Sequence, residues 1–430
     1  MNILVLNAGS SSHKLCLYHL PDSGQMLLPD YPSKPAWRGQ LDWHPEQNSV
    51  LLEATAGDRT ESETLSEMSR SEALLRLLTT LWQGPTGVIQ HLAEIDAVGH
   101  RVVHGGARYQ QPVLITQTVK QAIADLIPLA PVHNPANLEG IELMERLFLE
   151  QQLGELDEQR SRERSGQQSK QSLDIPQVAV FDTAFHHTLP EVAFTYPGPY
   201  DWQKQNIRRY GFHGISHQYC AQRAAQLLQQ DLTQLRLIIC HLGNGGSLTA
   251  VKNGQSIDTT MGFTPLDGLM MGTRSGAVDP GILIHLLRQG LSVEALDHQL
   301  NQASGLKGIS GISHDLRELR KAIATGHKRA ELAIALYLHR LKACLGSMLM
   351  SLGGLDVLVF TAGIGEHHTA IRAAAGEALA FLGVEIDAES NQNNPVDVDI
   401  ASARSTARVL VIQTQEDWAI AQQVFATLTA

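Results

Sequence analysis

Apolar positions in this chain fall into short continuous runs broken by glycine-rich turns, rather than into long periodic stretches. Asn2-Ile3-Leu4-Val5-Leu6 and Leu15-Cys16-Leu17-Tyr18 flank residues 7–14, which predicts two strands joined by a tight turn. Residues 37–53 alternate loosely between apolar and polar, as antiparallel strands do. The spacing predicts helices over 71–82 and 138–149, with a short strand over 97–103 between them. Further apolar runs at 178–181, 236–242, 248–251 and 357–360 predict more strands. A strand, an Asn/Gly/Ser turn and a second strand therefore occur twice, at 2–18 and at 236–251. A third apolar run ends in Thr361-Ala362-Gly363-Ile364-Gly365-Glu366, with a helix expected after it. This repeat predicts a duplicated α/β architecture with a central cleft and ligand-bearing loops at strand ends.

Composition adds limits. A chain of 430 residues, 43% hydrophobic and 18% charged, is long enough for two or three domains with their own cores. Two segments depart from the pattern. A proline-rich connection carries Pro21, Pro29, Pro32 and Pro35, and residues 151–172 are dominated by Gln, Glu, Arg and Ser. The latter reads as a solvated insertion or mobile loop, because it has too little apolar surface to offset its ordering entropy. A net charge of −11 excludes a general nucleic-acid binder, yet a local group of arginines still suits a small anionic substrate. Cys16, Cys220, Cys240 and Cys344 are scattered without a C-x-x-C pair, which points to a reducing, cytoplasmic setting. The N-terminal run lacks the basic and apolar regions of a signal peptide, and the apolar stretch 330–352 carries Glu331, His339, Arg340 and Lys342, so no membrane association is expected.

The turn Asn7-Ala8-Gly9-Ser10-Ser11-Ser12-His13-Lys14 concentrates hydroxyls, a carboxamide and a lysine, groups that donate hydrogen bonds to phosphate oxygens. It lacks the P-loop spacing and no helix follows it. Three further segments place cations among glycines: 100–106 with Arg101, 208–217 with Arg209 and His213, and 264–276 with Arg274. Phosphoryl transfer needs such parts, since positive charge and donors must meet the charge that spreads over the phosphoryl oxygens. Each also has a plainer reading as a surface arginine or a hydrogen-bonded histidine. His213 and His217 have the i, i+4 spacing of a zinc pair, but Gly214 follows His213 and the H-E-x-x-H pattern is absent. His186 and His187 are adjacent and ill-suited to one ion. Asp182, at the end of an apolar strand, either orients an arginine or reacting acid or caps a helix.

On these segments, together with 181–186, 241–247, 264–281 and 360–366, the chain resembles the acetokinase family, a branch of the actin/hexokinase/heat-shock-chaperone ATPase superfamily. The matching strings run in order from residue 2 to about 420. The resemblance implies duplicated ribonuclease-H-like (actin-like ATPase) domains: residues 1–184, with a C-terminal helix of about 418–430 packing back on them, and residues 185–417. It implies reversible Mg2+-dependent transfer of the ATP γ-phosphoryl group to acetate, with Mn2+ as an alternative ion, giving acetyl phosphate and ADP by in-line displacement and feeding acetyl-CoA biosynthesis. It also implies a homodimer. By the same resemblance Arg101 and Arg274 would hold the carboxylate and the phosphoryl group in flight, His213 would donate to that group, and Asp182 would act on the acid or hold Arg101. Asn7 and Glu416 match magnesium positions. Ser10, Ser12 and Lys14 match the phosphate loop, and His241, Leu242, Gly243, Asn244 and Gly245 the nucleotide-phosphate hairpin. Asp315, Leu316, Arg317, Gly363, Ile364, Gly365 and Glu366 match the adenosine site. Val103, Val132, Phe212 and Pro265 match a small apolar pocket for the acyl methyl group. A propionate or other short-chain acyl kinase is the nearer alternative, and an actin- or chaperone-like ATPase switch the remoter one. The chain departs from the family pattern at His13, at His367-His368, at Gln415-Glu416-Asp417-Trp418, at Val132 and in the long polar segment 151–172.

Overall fold

The computed structural model describes residues 1–9, 12–21, 32–44, 48–131, 133–163, 175–393 and 396–429. Ser10, Pro29, Val132 and residues 164–172 of the polar segment lie outside the described residues. The chain divides into two compact units, Met1–Ala184 with Gln415–Ala430, and Phe185–Thr414.

In the first unit an eight-stranded sheet has the order β5-β4-β3-β2-β1-β6-β8-β7. Its strands are β1 (Asn2–Ala8), β2 (Ser12–His19), β3 (Trp37–His44), β4 (Ser49–Ala56), β5 (Arg59–Ser66), β6 (Ala97–Val102), β7 (Val113–Leu114) and β8 (Gln177–Phe181). Its helices are α1 (Arg70–Thr79), α2 (Gln117–Asp125), α3 (Asn134–Glu163) and α14 (Glu416–Thr429), numbered through the chain. In the second unit a six-stranded sheet has the order β11-β10-β9-β12-β14-β13. Its strands are β9 (Arg236–Leu242), β10 (Gly246–Lys252), β11 (Gln255–Thr259), β12 (Val357–Thr361), β13 (Val398–Asp399) and β14 (Arg408–Val411). Its helices are α4 (Glu191–Phe194), α5 (Gly214–Leu228), α6 (Pro280–Arg288), α7 (Val293–Gln302), α8 (Gly305–Ser310), α9 (Leu316–Ala324), α10 (Lys328–Leu352), α11 (Ala362–His367), α12 (Thr369–Ala378) and α13 (Ala388–Gln392).

The two sheets share one plan. In each, two antiparallel hairpin steps (β1-β2-β3; β9-β10-β11) are followed by two parallel neighbours (β6 and β8; β12 and β14). This is the duplicated α/β architecture of the actin-like ATPases. The central parallel strands β8 and β12 are mostly apolar because both faces are covered, and neither has an exposed residue. Leu4, Leu6, Leu15, Leu17, Trp37, Leu41, Leu77 and Met144 fill one core of the first unit. In the second unit α10 lies on the sheet through Ala333, Tyr337, Leu341, Leu345 and Met348. By length and composition alone α10 is long and apolar enough to cross a membrane; here one face of it packs on the sheet and the rest is open.

Three expectations change. The helix expected over 138–149 begins at Asn134 and runs to Glu163, so residues 151–163 are helical rather than an irregular loop. Gln, Glu, Leu and Arg are good helix formers and no proline interrupts residues 136–175, so a lack of apolar residues argued against a core, not against a helix. The segment expected as a loop after β12 is itself a helix, α11, entered through Ala362 at φ +64°. The first helix ends at Thr79, with residues 80–82 forming turns, and is started by Ser69 in a capping box with Glu72.

Candidate functional site

The opening turn is a hairpin in which Asn7 stands directly across from Lys14 and Ala8 from His13. Gly9 N–H closes it on the Ser12 carbonyl at 2.9 Å, and a Cβ on Gly9 would sit 2.8 Å from that oxygen, so the turn admits no side chain there. His13 turns inward. Its ring is buried edge-on to Trp43 at 4.6 Å, and burial lowers its pKa to about 4, so it is a neutral core residue.

Arg101, near the end of β6, donates to Asn7 Oδ1 at 3.1 Å and to Asp182 Oδ2. Asp182 lies one residue beyond β8 and is 1% exposed; it is an ion-pair partner, not a helix cap. Burial opposes the charge on Arg101, but Asp182 and Glu416 outweigh it and raise its pKa. Glu416 opens α14 in the same neighbourhood. Burial first, with Asp182 and Asp417 adding to it and Arg101 and Lys14 opposing, pushes its pKa up to about 7. Two asparagines on the first turn of α3 brace this arrangement. Asn137 accepts from Val103 N–H at 3.0 Å and donates to the Ala8 carbonyl at 2.8 Å, tying the hairpin to the segment after Arg101. Asn134 accepts from His104 N–H at 3.2 Å and donates to the carbonyls of His104 and Ile123. His100 is bonded to Gln177 at 2.6 Å and lowered to about 4 by burial, so it serves the core.

Asp182, Glu416 and Asp417 stand among Arg101, Lys14 and Arg38, and burial raises the pKa of both Glu416 and Asp417. Asp182 Oδ1 is buried with no hydrogen-bond partner. Among the described residues no three acids, histidines or cysteines cluster as a metal cage, but a buried carboxylate oxygen without a partner suits magnesium, which keeps several waters and needs few protein anchors.

In the second unit β9 and β10 form the counterpart hairpin, with His241 opposite Ser247 and Gly243 N–H bonded to the Gly245 carbonyl at 2.9 Å. His213, at the N-terminus of α5, adopts φ +56°, a left-handed conformation uncommon for a residue with a Cβ. Its Nδ1 lies 2.9 Å from Ser247 Oγ, and its ring stacks on His241 at 4.1 Å and 17°. A Cβ built on Gly245 would lie 3.6 Å from both His213 Nε2 and Arg274 Nη1, so an imidazole and a guanidinium converge over this glycine. Burial lowers the pKa of Arg274. Arg209 is committed elsewhere: it donates to the carbonyls of Thr260 and Met261 and pairs with Asp267, holding the segment that leads to Arg274. His186 is bonded through both ring nitrogens, to Ser256 Oγ and the Phe212 carbonyl, so it is a structural residue and not a metal ligand.

Beside that hairpin lies a cavity of about 300 Å³, whose lining includes Asn244, Asp315, Leu316, Arg317, Gly363 and Ile364. Asp315 caps α9 and forms an ion pair with Arg317, which holds its carboxyl down at about 2. Glu366 turns away from the cavity. Its Oε1 accepts from Thr414 N–H and Oγ1, both at 2.9 Å, while buried Arg372 donates to the carbonyls of Gly365 and Glu366. Glu366 and Arg372 therefore secure α11 and leave Gly363 and Ile364 to line the wall.

Val103 belongs to the first unit; Phe212 and Pro265 belong to the second. Sequence reasoning missed Asn134, Asn137, Arg372 and the cavity residue His314. The asparagines had a weak signal in the string His133-Asn134-Pro135-Ala136-Asn137; the others had none.

The sequence matches the Acetokinase family over residues 2–156 and 165–422. An acetate kinase of Acaryochloris marina (strain MBIC 11017) is 63% identical over 425 residues, 99% of each chain. Among solved structures, Porphyromonas gingivalis acetate kinase is 37% identical with a TM-score of 0.84 and 99% of each chain covered. A propionate kinase from Francisella tularensis subsp. tularensis SCHU S4 is 38% identical with a TM-score of 0.83 and 98% of each chain covered.

Proposed function

The chain belongs to the acetokinase family, and from that premise we propose that it transfers the γ-phosphoryl group of ATP to acetate, reversibly, as a cytoplasmic homodimer. The kinase activity follows from the family; the substrate, ion, residue roles and assembly are our assignments.

At neutral pH the acid is already a carboxylate, so the reaction needs no base. A carboxylate oxygen attacks the γ-phosphorus in line, the acyl-oxygen–phosphorus bond forms, and the bond to the β,γ-bridging oxygen breaks as ADP leaves. Arg101 holds the acid's carboxylate, and Asp182 fixes the guanidinium in place. Val103 stands at the methyl end. His213 and Arg274 donate to the phosphoryl oxygens, where charge spreads in the transition state. The hairpin 243–245 carries the nucleotide phosphates through its backbone, with adenosine in the cavity between Asp315–Arg317 and Gly363–Ile364. Glu416 and Asn7 would hold Mg2+, which would supply charge neutralisation and orientation for the phosphates. What carries this reading is the convergence of His213 Nε2 and Arg274 Nη1 over a glycine in a hairpin. The four free cysteines suit the reducing cytoplasm.

Trapping with hydroxylamine is expected to detect an acyl phosphate that depends on both ATP and the acid; ATP hydrolysis without it would refute the assignment. The likeness to the Francisella tularensis propionate kinase keeps propionate as the second reading. An extra methylene is worth only about 1–3 kcal/mol, so kcat/KM should favour acetate over propionate, and propionate over butyrate, in modest steps. A maximum at propionate would select the second reading.

A further inference from the structure

Ser247, on β10, bonds two histidines at once. Its Oγ is 2.9 Å from His213 Nδ1 and 2.7 Å from His217 Nε2. Both Ser247 and His217 are completely buried. A hydroxyl has one proton and two lone pairs, so between two imidazole nitrogens it either donates to one and accepts from the other or accepts from both. Acceptance from both would leave the buried hydroxyl proton without an acceptor, since these two rings are the hydrogen-bond partners of Ser247 Oγ among the described residues; two proton arrangements remain. In one, His217 Nε2–H donates to Ser247 Oγ and Ser247 donates to His213 Nδ1, which leaves the His213 proton on Nε2. In the other the chain runs backwards: His213 carries its proton on Nδ1 and His217 carries its own on Nδ1.

His217 Nδ1 decides between them. That atom is buried with no hydrogen-bond partner. The second arrangement would put a buried N–H there with no acceptor, whereas the first leaves only a bare lone pair. Orphaned buried N–H groups are the rarer and costlier case. His217 also stays neutral: burial, then the neighbouring His186 and His241, lower its pKa well below the ordinary value. The His213 ring is held on its face by the stacked His241, itself anchored through Nδ1 to Ser216 Oγ at 2.8 Å. Ring plane and tautomer are therefore fixed by different contacts.

We propose that His217 and Ser247 are positioning residues that set the tautomer of His213, fixing its proton on Nε2, the nitrogen beside Arg274 and Gly245. This rests on the reading of His213 as the donor to the transferring phosphoryl group. With the opposite tautomer, Nε2 would present a lone pair to an anionic oxygen and repel it. The i, i+4 spacing of His213 and His217, which resembled half a zinc site in the sequence, is the spacing that lets one serine hydroxyl reach both rings from the neighbouring strand.

The test uses the full chain labelled with ¹⁵N-histidine, with long-range ¹H–¹⁵N correlation spectra assigned through His213→Asn. The expected wild-type pattern is His213 protonated on Nε2. In Ser247→Ala the pattern should shift toward a mixture or toward Nδ1–H. In the same variant kcat should fall by about tenfold to a hundredfold, less than or near the loss of one transition-state donor, with KM for acid and nucleotide little changed. Ser247→Thr, which restores a hydroxyl, should recover both readouts. Should Ser247→Ala fail to fold, Ser247→Cys keeps the volume with a weak donor and takes its place. A wild-type His213 protonated on Nδ1, or an unchanged tautomer in the variant, would overturn the proposal. The tautomer is read without turnover, so absence of acyl phosphate would sink the functional reading alone. An Nδ1–H spectrum in an enzyme that makes acetyl phosphate would sink the relay alone.

Discussion

Arg101 is held by a partner that is itself nearly inaccessible to water: Asp182 is 1% exposed. Removing one member of a buried pair leaves the other charged and unpaired, at a cost of about 3–5 kcal/mol. Arg101→Ala should therefore lose kcat/KM by orders of magnitude and also melt earlier. Adding Asp182→Asn to it should restore much of the melting temperature and none of the activity. Thermal denaturation of the two variants measures this, and an uncompensated double variant would contradict the pairing. Glu416 makes a pH prediction. Its carboxyl is raised from 4.5 to about 7, so the fold holds the proton more tightly than the unfolded chain does. That contribution to stability is complete below about pH 4.5 and is lost as pH rises through about 7. Without magnesium, Glu416→Gln should melt higher than the wild type at pH 8, with the gap closing toward pH 4.5; a constant gap would contradict it. Arg101 and Asp182 could be picked out in the sequence because each ends an apolar strand. Asn137 could not, since its partners are backbone groups at residues 8 and 103, and a carboxamide's backbone partners have no sequence signature.

Helix α14 carries Glu416 and lies on β1 and β6. The contact is close at Gly99, where a Cβ would come within 2.7 Å of Val424 and 2.8 Å of Ile420. Gly99→Val should push the helix off the strand and cost about 1–3 kcal/mol or more, as overpacking does. Because the helix orients Glu416, magnesium affinity measured by calorimetry should fall as well; unchanged affinity would separate helix seating from the metal site. At this scale the strands were the most legible part. Continuous apolar runs between glycine turns marked both hairpins and the parallel strands β6, β8 and β12, while the short β14 went unpredicted. Helix limits were less so: α3 extends into 151–163 on polar helix formers that no hydrophobic pattern marks, and α11 begins where a loop was expected, through a left-handed Ala362.

At the scale of the whole molecule, α6 stands out because none of its nine residues is buried although five are aliphatic in the string Pro280-Gly281-Ile282-Leu283-Ile284-His285-Leu286-Leu287-Arg288. Ile282 and Ile284 are each 50% exposed, and Val293 on the following helix is 66% exposed. A helix apolar on most sides needs a partner surface, and we assign that role to a second copy of the chain. Ile284→Glu should convert dimer to monomer in light scattering, and a dimer that survives it would place the interface elsewhere. The repeat of one strand plan in both sheets was visible in the sequence as two similar hairpins; α6 was not, because an exposed apolar helix and a buried one have the same letters. The return of α14 to the first unit has a consequence for how the protein comes to life in a cell. The two residues assigned to the metal stand about 400 positions apart, a delay on the order of 20–80 s at roughly 5–20 residues per second of translation. The unit Phe185–Thr414, to which we assign the nucleotide, is complete two residues before Glu416 is added. The proposed metal pair is therefore complete only once residue 416 is made, and activity waits for the tail. A chain ended at residue 414 should still bind an ATP analogue yet form no acyl phosphate, and turnover by that fragment would show that the tail is dispensable. The late arrival of one carboxylate works as a check that synthesis has passed residue 416.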